Sequence, residues 1–180
     1  MKKESKKKEL LDTAASILAK DPAVSMEQIA NHIGVGRITL YRYFPKRNDL
    51  IYELALESIA QTDEAIQPLY EKEISNREIL EKVFNNLIPL GARFHFLIYE
   101  VSLHKNSEIE KAYERQITEL YKFMEILRSE NLISMSSTWA LYVLDGLIWA
   151  AWLAIEEGDL ARNQAKDIVV NTFLTGLSSK

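Results

Sequence analysis

The sequence predicts an all-α protein of about nine helices, and three observations lead to that prediction. Apolar residues recur at helical spacing along nearly the whole chain of 180 residues. The chain has only six glycines and four prolines, a low share that disfavours a turn-rich β-sandwich. Apolar residues make up 47% and charged residues 27% of the chain, which is the composition of a globular protein and not of a disordered one.

The breaks between the first four helices coincide with residues that end helices. The residue before a proline avoids the helical region, and glycine readily adopts the positive φ of a helix end. The residues concerned are Pro22, Gly34 and Pro45. Ser25, with Gln28 three residues further on, predicts a capping box that opens the second helix. The third helix is short and begins at Gly36, and the fourth extends to about residue 70.

The five later helices are separated by similar signals. We expect them over residues 79–88, 94–103, 108–129, 139–155 and 160–177. Pro89 and Gly91 interrupt the chain between the first two of these helices. Asn106 predicts the cap of the next helix, and Ser136 that of the helix after it. The helix over 139–155 is apolar nearly all round, which is typical of a helix covered on both sides.

Several classes of function are disfavoured by what the sequence lacks. There is no cysteine, hence no disulfide, thiolate metal site or cysteine nucleophile. The three histidines are widely spaced, and we find no nucleophile elbow, paired-carboxylate motif or Gly-rich phosphate loop, so we expect no enzyme, no metal and no cofactor. The Lys-rich start lacks an apolar signal region, and Asp145 interrupts the longest apolar run. A cytoplasmic protein without a membrane span is expected.

The charge is distributed unevenly along the chain. Residues 1–50 hold ten basic and six acidic residues, a net charge of +4, whereas residues 51–180 hold twelve and twenty, a net charge of -8. A basic N-terminal part on an acidic body favours a polyanionic partner for the basic part. Lys-rich tails also occur as solvated segments on unrelated chains, so the charge alone leaves the partner open.

Residues 25–50, SMEQIANHIGVGRITLYRYFPKRNDL, predict a helix-turn-helix: a capped helix, a glycine turn and a second short helix. In such a motif the second helix enters the DNA major groove. Leu40 or Ile38, together with Phe44, would anchor that helix inward. The segment resembles the DNA-binding domain of the TetR family of bacterial transcriptional regulators. The matching residues are Ser25, Ile29, Ala30, Gly34, Val35, Thr39, Leu40, Tyr41, Phe44, Arg47, Asp49 and Leu50.

The resemblance implies a set of DNA contacts in this motif. The candidate residues are Ser25, Gly36, Arg37, Thr39, Tyr41, Arg42, Tyr43, Lys46 and Arg47. Tyr41 matches a tyrosine whose hydroxyl donates to a phosphate, and Arg37 lies where side chains reach base edges, with a geometry suited to guanine. Arg42 contacts a base or only steers the approach. Arg47 stands where the family usually has lysine, which keeps the cation near a phosphate.

Two domains are expected: a DNA-binding domain over residues 1–50, with a connecting helix from about residue 47, and an effector-binding and dimerisation domain over residues 51–180. The resemblance implies a homodimer formed by the last two helices, and the pattern there favours a four-helix bundle. The candidate interface residues are Ala165, Val169, Thr172, Phe173 and Gly176. The alternative is that both helices belong only to the core of one chain.

An aromatic wall in the second domain is the candidate effector site. Its expected members are Phe94, Phe96, Tyr99, Tyr113, Tyr121, Tyr142, Asp145, Trp149 and Trp152. Such a wall with few polar groups suits an apolar or amphipathic small molecule, although ordinary core packing explains aromatics equally well. Asp145 needs a partner inside its apolar run, either Arg93 or Arg128 or a cationic ligand.

The resemblance therefore implies a ligand-responsive transcriptional regulator. Specifically, we expect a repressor that binds a palindromic operator in double-stranded DNA as a homodimer. A small, largely apolar effector would release it. The alternative is a co-regulator of the same fold that acts through protein partners. The side chains that argue against that alternative are Arg37, Tyr41, Arg42 and Arg47, because a protein-binding module does not need a phosphate-facing set.

Overall fold

The computed structural model describes residues 2–100 and 106–177, which form nine α-helices and no strand. The all-α prediction is therefore confirmed. The helices are α1 (Lys2–Lys20), α2 (Met26–Ile33), α3 (Arg37–Tyr43), α4 (Arg47–Ala65), α5 (Asn76–Leu87), α6 (Gly91–Tyr99), α7 (Ser107–Ser129), α8 (Ser137–Glu156) and α9 (Arg162–Leu177). Single 3₁₀ turns lie at Gln67–Tyr70 and Ile88–Leu90.

The largest differences from the predicted helix ends lie in the fourth and sixth helices. The fourth helix stops at Ala65, because Pro68 converts the last expected turn into a 3₁₀ turn. The sixth stops at Tyr99, and its expected end at residue 103 lies outside the described residues. The Lys-rich start is not a loose tail: helix α1 begins at Lys2, and Lys7 forms a 2.9 Å ion pair with Glu53 of α4.

The capping signals found in the sequence fix the shape of the helix-turn-helix. The Ser25 hydroxyl accepts the amide of Gln28, and the Gln28 side chain accepts the amide of Ser25, which completes the predicted capping box. Gly34 ends α2 with a φ of 75°, a conformation that favours glycine. The turn between α2 and α3 is therefore fixed by local sequence.

The described residues form two hydrophobic cores. One surrounds Phe84 and Phe173 and joins α5, α7, α8 and α9. The other fills the space inside α1–α4, but Phe96 of α6 and Trp152 of α8 belong to it as well. Packing is therefore continuous across residue 50, and α6 and α8 contact the N-terminal helices directly.

Arg93 of α6 is the polar centre of this junction. Its side chain is 5% exposed. Nη2 lies 2.6 Å from Asp12 Oδ1 of α1 and 3.5 Å from Glu57 Oε2 of α4, and Nη1 donates to the Ser58 hydroxyl at 3.3 Å. One buried guanidinium thus links three helices that come from distant parts of the sequence.

We predict that Arg93→Met lowers the free energy of unfolding by about 2–3 kcal/mol, because it leaves two carboxylates together without their cation. This is less than the ~3–5 kcal/mol of a fully buried pair, since Asp12 keeps half of its surface in water. The matched control is Arg115→Met, which removes an exposed ion pair with Asp63 and should cost about 0–1 kcal/mol. Urea unfolding of both variants measures the difference. Equal losses would contradict the central role of Arg93.

Candidate functional site

The third helix protrudes from the N-terminal helices with one face buried and the opposite face in solvent. Leu40 and Phe44 are fully buried and anchor it, as the sequence predicted for them. Ile38, the alternative anchor, is 86% exposed and points away from the core. Arg37 and Arg42 are exposed on the same helix. The outward surface of α3 is therefore a mixture of two cations and one branched apolar side chain.

Both arginines of α3 lean on neighbouring tyrosine rings. The Arg37 guanidinium lies 5.3 Å from the centre of the Tyr41 ring, and that of Arg42 lies 5.6 Å from the Tyr43 ring. These are cation–π distances, which restrict the long side chains without hiding their charge. Arg37 also approaches Glu27 of α2 at 3.8 Å. The cations are thereby held along the sides of the helix.

Arg47 makes contacts within the chain that the sequence did not predict. Its Nη2 donates to the main-chain carbonyl of Pro22 at 2.6 Å, and its Nη1 donates to that of Val24. These carbonyls lie between α1 and α2, so Arg47 fastens the start of α4 to that loop. Arg47 therefore has a structural role, for which the fork of an arginine is better suited than a lysine, and its expected phosphate contact stays a prediction. Lys46, one residue earlier, is exposed.

The other predicted DNA contacts share one end of the molecule. Ser25 caps α2 and Gly36 stands at the start of α3, both exposed, whereas Thr39, Tyr41 and Tyr43 are half-buried along α3. The polar atoms of this surface therefore surround the protruding helix.

The predicted dimer residues divide into two groups. Ala165, Val169 and Phe173 are buried in the core of their own chain, where the Phe173 ring meets Phe84 edge-on at 5.4 Å, so their assignment to a partner-facing stripe is wrong. Helical periodicity marks a buried face but not what buries it. Thr172 and Gly176 lie on the exposed side of α9. Ile168, which belongs to the same predicted stripe, is 48% exposed.

Helix α8 carries an apolar face that its own chain leaves open. The residues repeat at steps of four and three and are Trp139, Val143, Gly146, Ala150 and Leu153, all exposed or half-buried. By length and composition α8 could cross a membrane, a property it shares with core helices of other proteins, and only 28% of its apolar span is buried. Steps of four and three are the spacing with which two helices pack side by side.

A cavity of about 370 Å³ lies between α6, α7 and α8. Six of the nine predicted effector residues line it: Phe94, Tyr99, Tyr113, Tyr121, Tyr142 and Asp145. The sequence analysis missed its aliphatic and small members, which are Ile98, Ile117, Leu120, Thr138, Leu141 and Leu144. Several of them lie three or four positions from a predicted residue on the same helix, so helical spacing was the signal that could have found them.

Three predicted effector residues lie elsewhere. Phe96 and Trp152 are buried in the N-terminal core, and Trp149 packs against that core. They lie on the side of α6 and α8 that faces α1 and α4, because a helix turns 100° per residue and carries neighbours to different faces. Their assignment to the cavity wall is corrected accordingly.

Asp145 has neither of the arginine partners that the sequence suggested. Arg93 is bound to Asp12, and Arg128 is exposed on α7. Within residues 2–100 and 106–177, Asp145 Oδ1 is buried with no hydrogen-bond partner. Burial raises the pKa of Asp145, and hydrogen bonding to the Tyr99 hydroxyl offsets part of that rise. The cavity wall therefore holds a carboxylate whose charge is poorly compensated.

The tyrosines beside Asp145 remain neutral over the physiological range. Burial, reinforced by the negative charge of Asp145, raises the pKa of Tyr113 to about 12. The charge of Asp145 and burial also raise the pKa of Tyr99. Each hydroxyl therefore keeps its proton at this end of the cavity, where that of Tyr99 donates to Asp145.

An aromatic column connects the cavity with the N-terminal helices. Tyr99, which lines the cavity, contacts His95 at 4.3 Å between ring centres, and His95 stacks on Trp149 at 4.0 Å. Trp149 stacks on Trp152 at 5.0 Å, and Lys20 at the end of α1 lies 5.7 Å above the Trp152 ring. Burial lowers the pKa of His95 and favours its neutral form.

Comparisons with known proteins agree with this geometry. Residues 10–54 match the family described as "Bacterial regulatory proteins, tetR family". The chain is 27% identical to the HTH-type transcriptional repressor LfrR of Mycolicibacterium smegmatis over 178 residues, which are 97% of this chain and 92% of that protein. The crystal structure of LfrR from Mycobacterium smegmatis in complex with proflavine covers all of both chains at 25% identity and a TM-score of 0.73.

A further solved structure shows the same fold at lower identity. AibR in complex with isovaleryl coenzyme A and operator DNA has a TM-score of 0.63 and 17% identity, covering 92% of this chain and 96% of that one. The protruding α3, the turn fixed by Gly34 and the basic surface around them define a helix-turn-helix DNA-binding protein. Residues 10–54 are the part of this chain that is similar to the tetR family of bacterial regulatory proteins.

We predict that Asp145→Asn stabilises the protein at neutral pH, since the buried charge is removed. A carboxyl group whose pKa is raised by folding binds a proton more readily in the folded state, so ionisation destabilises the fold as pH rises. The gain in melting temperature should therefore grow as pH rises above about 3.9, the ordinary pKa of aspartate, and vanish below it. Asp159→Asn, at an exposed turn, is the control. A gain independent of pH would contradict the role assigned to burial.

Proposed function

We propose that the chain is a homodimeric repressor that acts on DNA in the cytoplasm and is released from a palindromic operator by a small, largely apolar ligand. Residues 1–50 would bind DNA, and residues 51–180 would form the dimer and bind the effector. The observation that carries the proposal is the exposed α3 at one end of the molecule, joined by α1, α4 and α6 to a cavity in the body.

The open face of α8 and the exposed side of α9 support the dimer. Trp139, Gly146 and Ala150 of α8 and Ile168 of α9 would be covered by the same residues of a second chain around a two-fold axis. Gly146 has no atom within 4 Å of the position where a Cβ would stand, which leaves room for a partner helix to approach closely. Two recognition helices in such a dimer would meet half-sites about one DNA turn apart.

The cavity wall indicates what kind of ligand would bind. Most lining side chains are aliphatic or aromatic, and the polar groups gather around Asp145, Tyr99 and Tyr113. A flat, mainly apolar compound with one positively charged or N–H-bearing end would satisfy the buried carboxylate oxygen. Proflavine, with which LfrR was crystallised, is a compound of this kind, and by likeness to LfrR we propose this ligand class here.

Helix α6 would transmit ligand binding to the DNA-binding domain. Phe94 and Tyr99 face the cavity, whereas Arg93 and Phe96 contact the N-terminal helices from the same short helix. A ligand that binds one position of α6 better than the other shifts α1 and α4, and with them the spacing of the two recognition helices. DNA affinity would then fall by the same coupling free energy by which DNA weakens ligand binding.

The full chain should select a palindromic sequence from a random DNA pool, with an affinity that falls steeply with salt. Lys46 and Arg42 would each neutralise a phosphate, so a plot of log affinity against log salt concentration should have a slope of about -0.9 per phosphate contacted. Hydrophobic cations should weaken DNA binding more than neutral aromatics or fatty acids do. In Asp145→Asn, the three types of ligand should weaken DNA binding equally. Fluorescence anisotropy with labelled operator measures both effects. Salt-independent binding would count against DNA recognition, and equal effects of the three ligand types against the proposed ligand class.

Ile168→Glu should convert the dimer into a monomer that still folds, because the charge would be buried only where two chains meet. The matched control is Ile126→Glu on α7, since Ile126 is 44% exposed against 48% for Ile168. Sedimentation velocity gives the molecular mass, and circular dichroism verifies folding. A dimer that survives Ile168→Glu would place the interface elsewhere, and a monomer produced by Ile126→Glu would move it to α7.

A further inference from the structure

The most exposed large apolar side chain of the described residues lies on the DNA-facing helix. Ile38 is 86% exposed, against 69% for Tyr142, the next in order. A single apolar residue on a surface is ordinary by itself. The position of Ile38 is not ordinary, because Ile38 is the second residue of α3, the helix that would enter the major groove.

Helical geometry places Ile38 on the outward face, next to Arg42. At 100° per residue, Leu40 and Phe44 define the buried direction, and Ile38 and Arg42 lie roughly opposite to it. The two arginines lean sideways over Tyr41 and Tyr43, at 5.3 and 5.6 Å. Ile38 is therefore left uncovered between two cations that are suited to phosphates and guanines.

We propose that Ile38 is a specificity-determining residue that contacts the methyl group of a thymine in each operator half-site. The inference rests on the proposed function. Among the base edges in the major groove, thymine alone offers an apolar methyl group, and the other edges carry donors and acceptors. An isoleucine would remove water from those polar groups without replacing their hydrogen bonds, so it disfavours the other bases.

The side chain itself suits this contact. Isoleucine is branched at Cβ and holds one main χ1 rotamer in a helix, so its methyl groups occupy a fixed position before DNA binds. Little side-chain entropy is lost when the contact forms. The two-fold symmetry of the proposed dimer repeats the contact once per half-site.

The experiment begins with the operator that the full-length chain selects from a random DNA pool. Each thymine of one half-site, together with its symmetry mate, is replaced by deoxyuridine, which lacks only the methyl group. We expect one symmetric pair at which this change lowers affinity about 4-fold per half-site, or about 16-fold for the dimer, as for loss of one buried methyl-sized group at each site. Ile38→Ala should bind the thymine and deoxyuridine operators equally well.

The control is Ile126→Ala, an exposed isoleucine of α7, which should keep the full deoxyuridine penalty. The variant Ile38→Ala removes only exposed atoms, and a melting curve verifies that it folds like the parent. The inference is overturned if the parent binds its operator but no deoxyuridine replacement lowers the affinity. It is also overturned if Ile38→Ala loses as much affinity on that replacement as the parent does. In both cases the proposed function stands. If the chain selects no DNA sequence, the proposed function fails and the inference fails with it.

Discussion

The structure depends on one buried cation. Arg93 binds Asp12 of α1 and lies beside Glu57 of α4, so the first helix of the DNA-binding domain, the connecting helix and the cavity-lining α6 meet at a single guanidinium. Burying a charge is costly unless partners satisfy it, and here two carboxylates and the Ser58 hydroxyl do so. The geometry of such a cluster is strongly directional, whereas the apolar contacts around it tolerate sliding. It therefore fixes how the recognition helix stands relative to the cavity.

Much of the N-terminal domain could be predicted because its signals are local. The Ser25–Gln28 capping box, the left-handed Gly34 and the buried Leu40 and Phe44 each follow from a few neighbouring residues. The role of Arg47 could not be found in that way. Its carbonyl partners, Pro22 and Val24, are more than twenty positions away, and no local pattern indicates which groups the folded chain brings within reach.

In the body the sequence indicated which residues are buried, but it did not indicate which part of the protein covers them. Phe173 and Ala165 follow the period of a packed helix, and the same period suits a dimer interface and the core of one chain. The aromatic residues of α6 and α8 divide in the same way: Tyr99 and Asp145 face the cavity, and Phe96 and Trp152 face the N-terminal core. Successive helical positions point in different directions, so a dense aromatic stretch supplies two surfaces at once.

Gly91 limits the ways in which α6 can move. A Cβ atom at this position would lie 2.4 Å from Trp152 Cβ and 3.2 Å from the Ile148 carbonyl oxygen, so the backbone of α6 rests directly on α8 at its first residue. A helix seated that closely cannot approach α8 further at this point, so a rearrangement of α6 would be largest at its other end. Tyr99 is eight residues away, about 12 Å along the helix, so a 1 Å displacement there corresponds to a tilt of about 5°. Because its first residue is held at Gly91, a tilt of α6 would displace Phe96 more than Arg93, and Phe96 belongs to the N-terminal core.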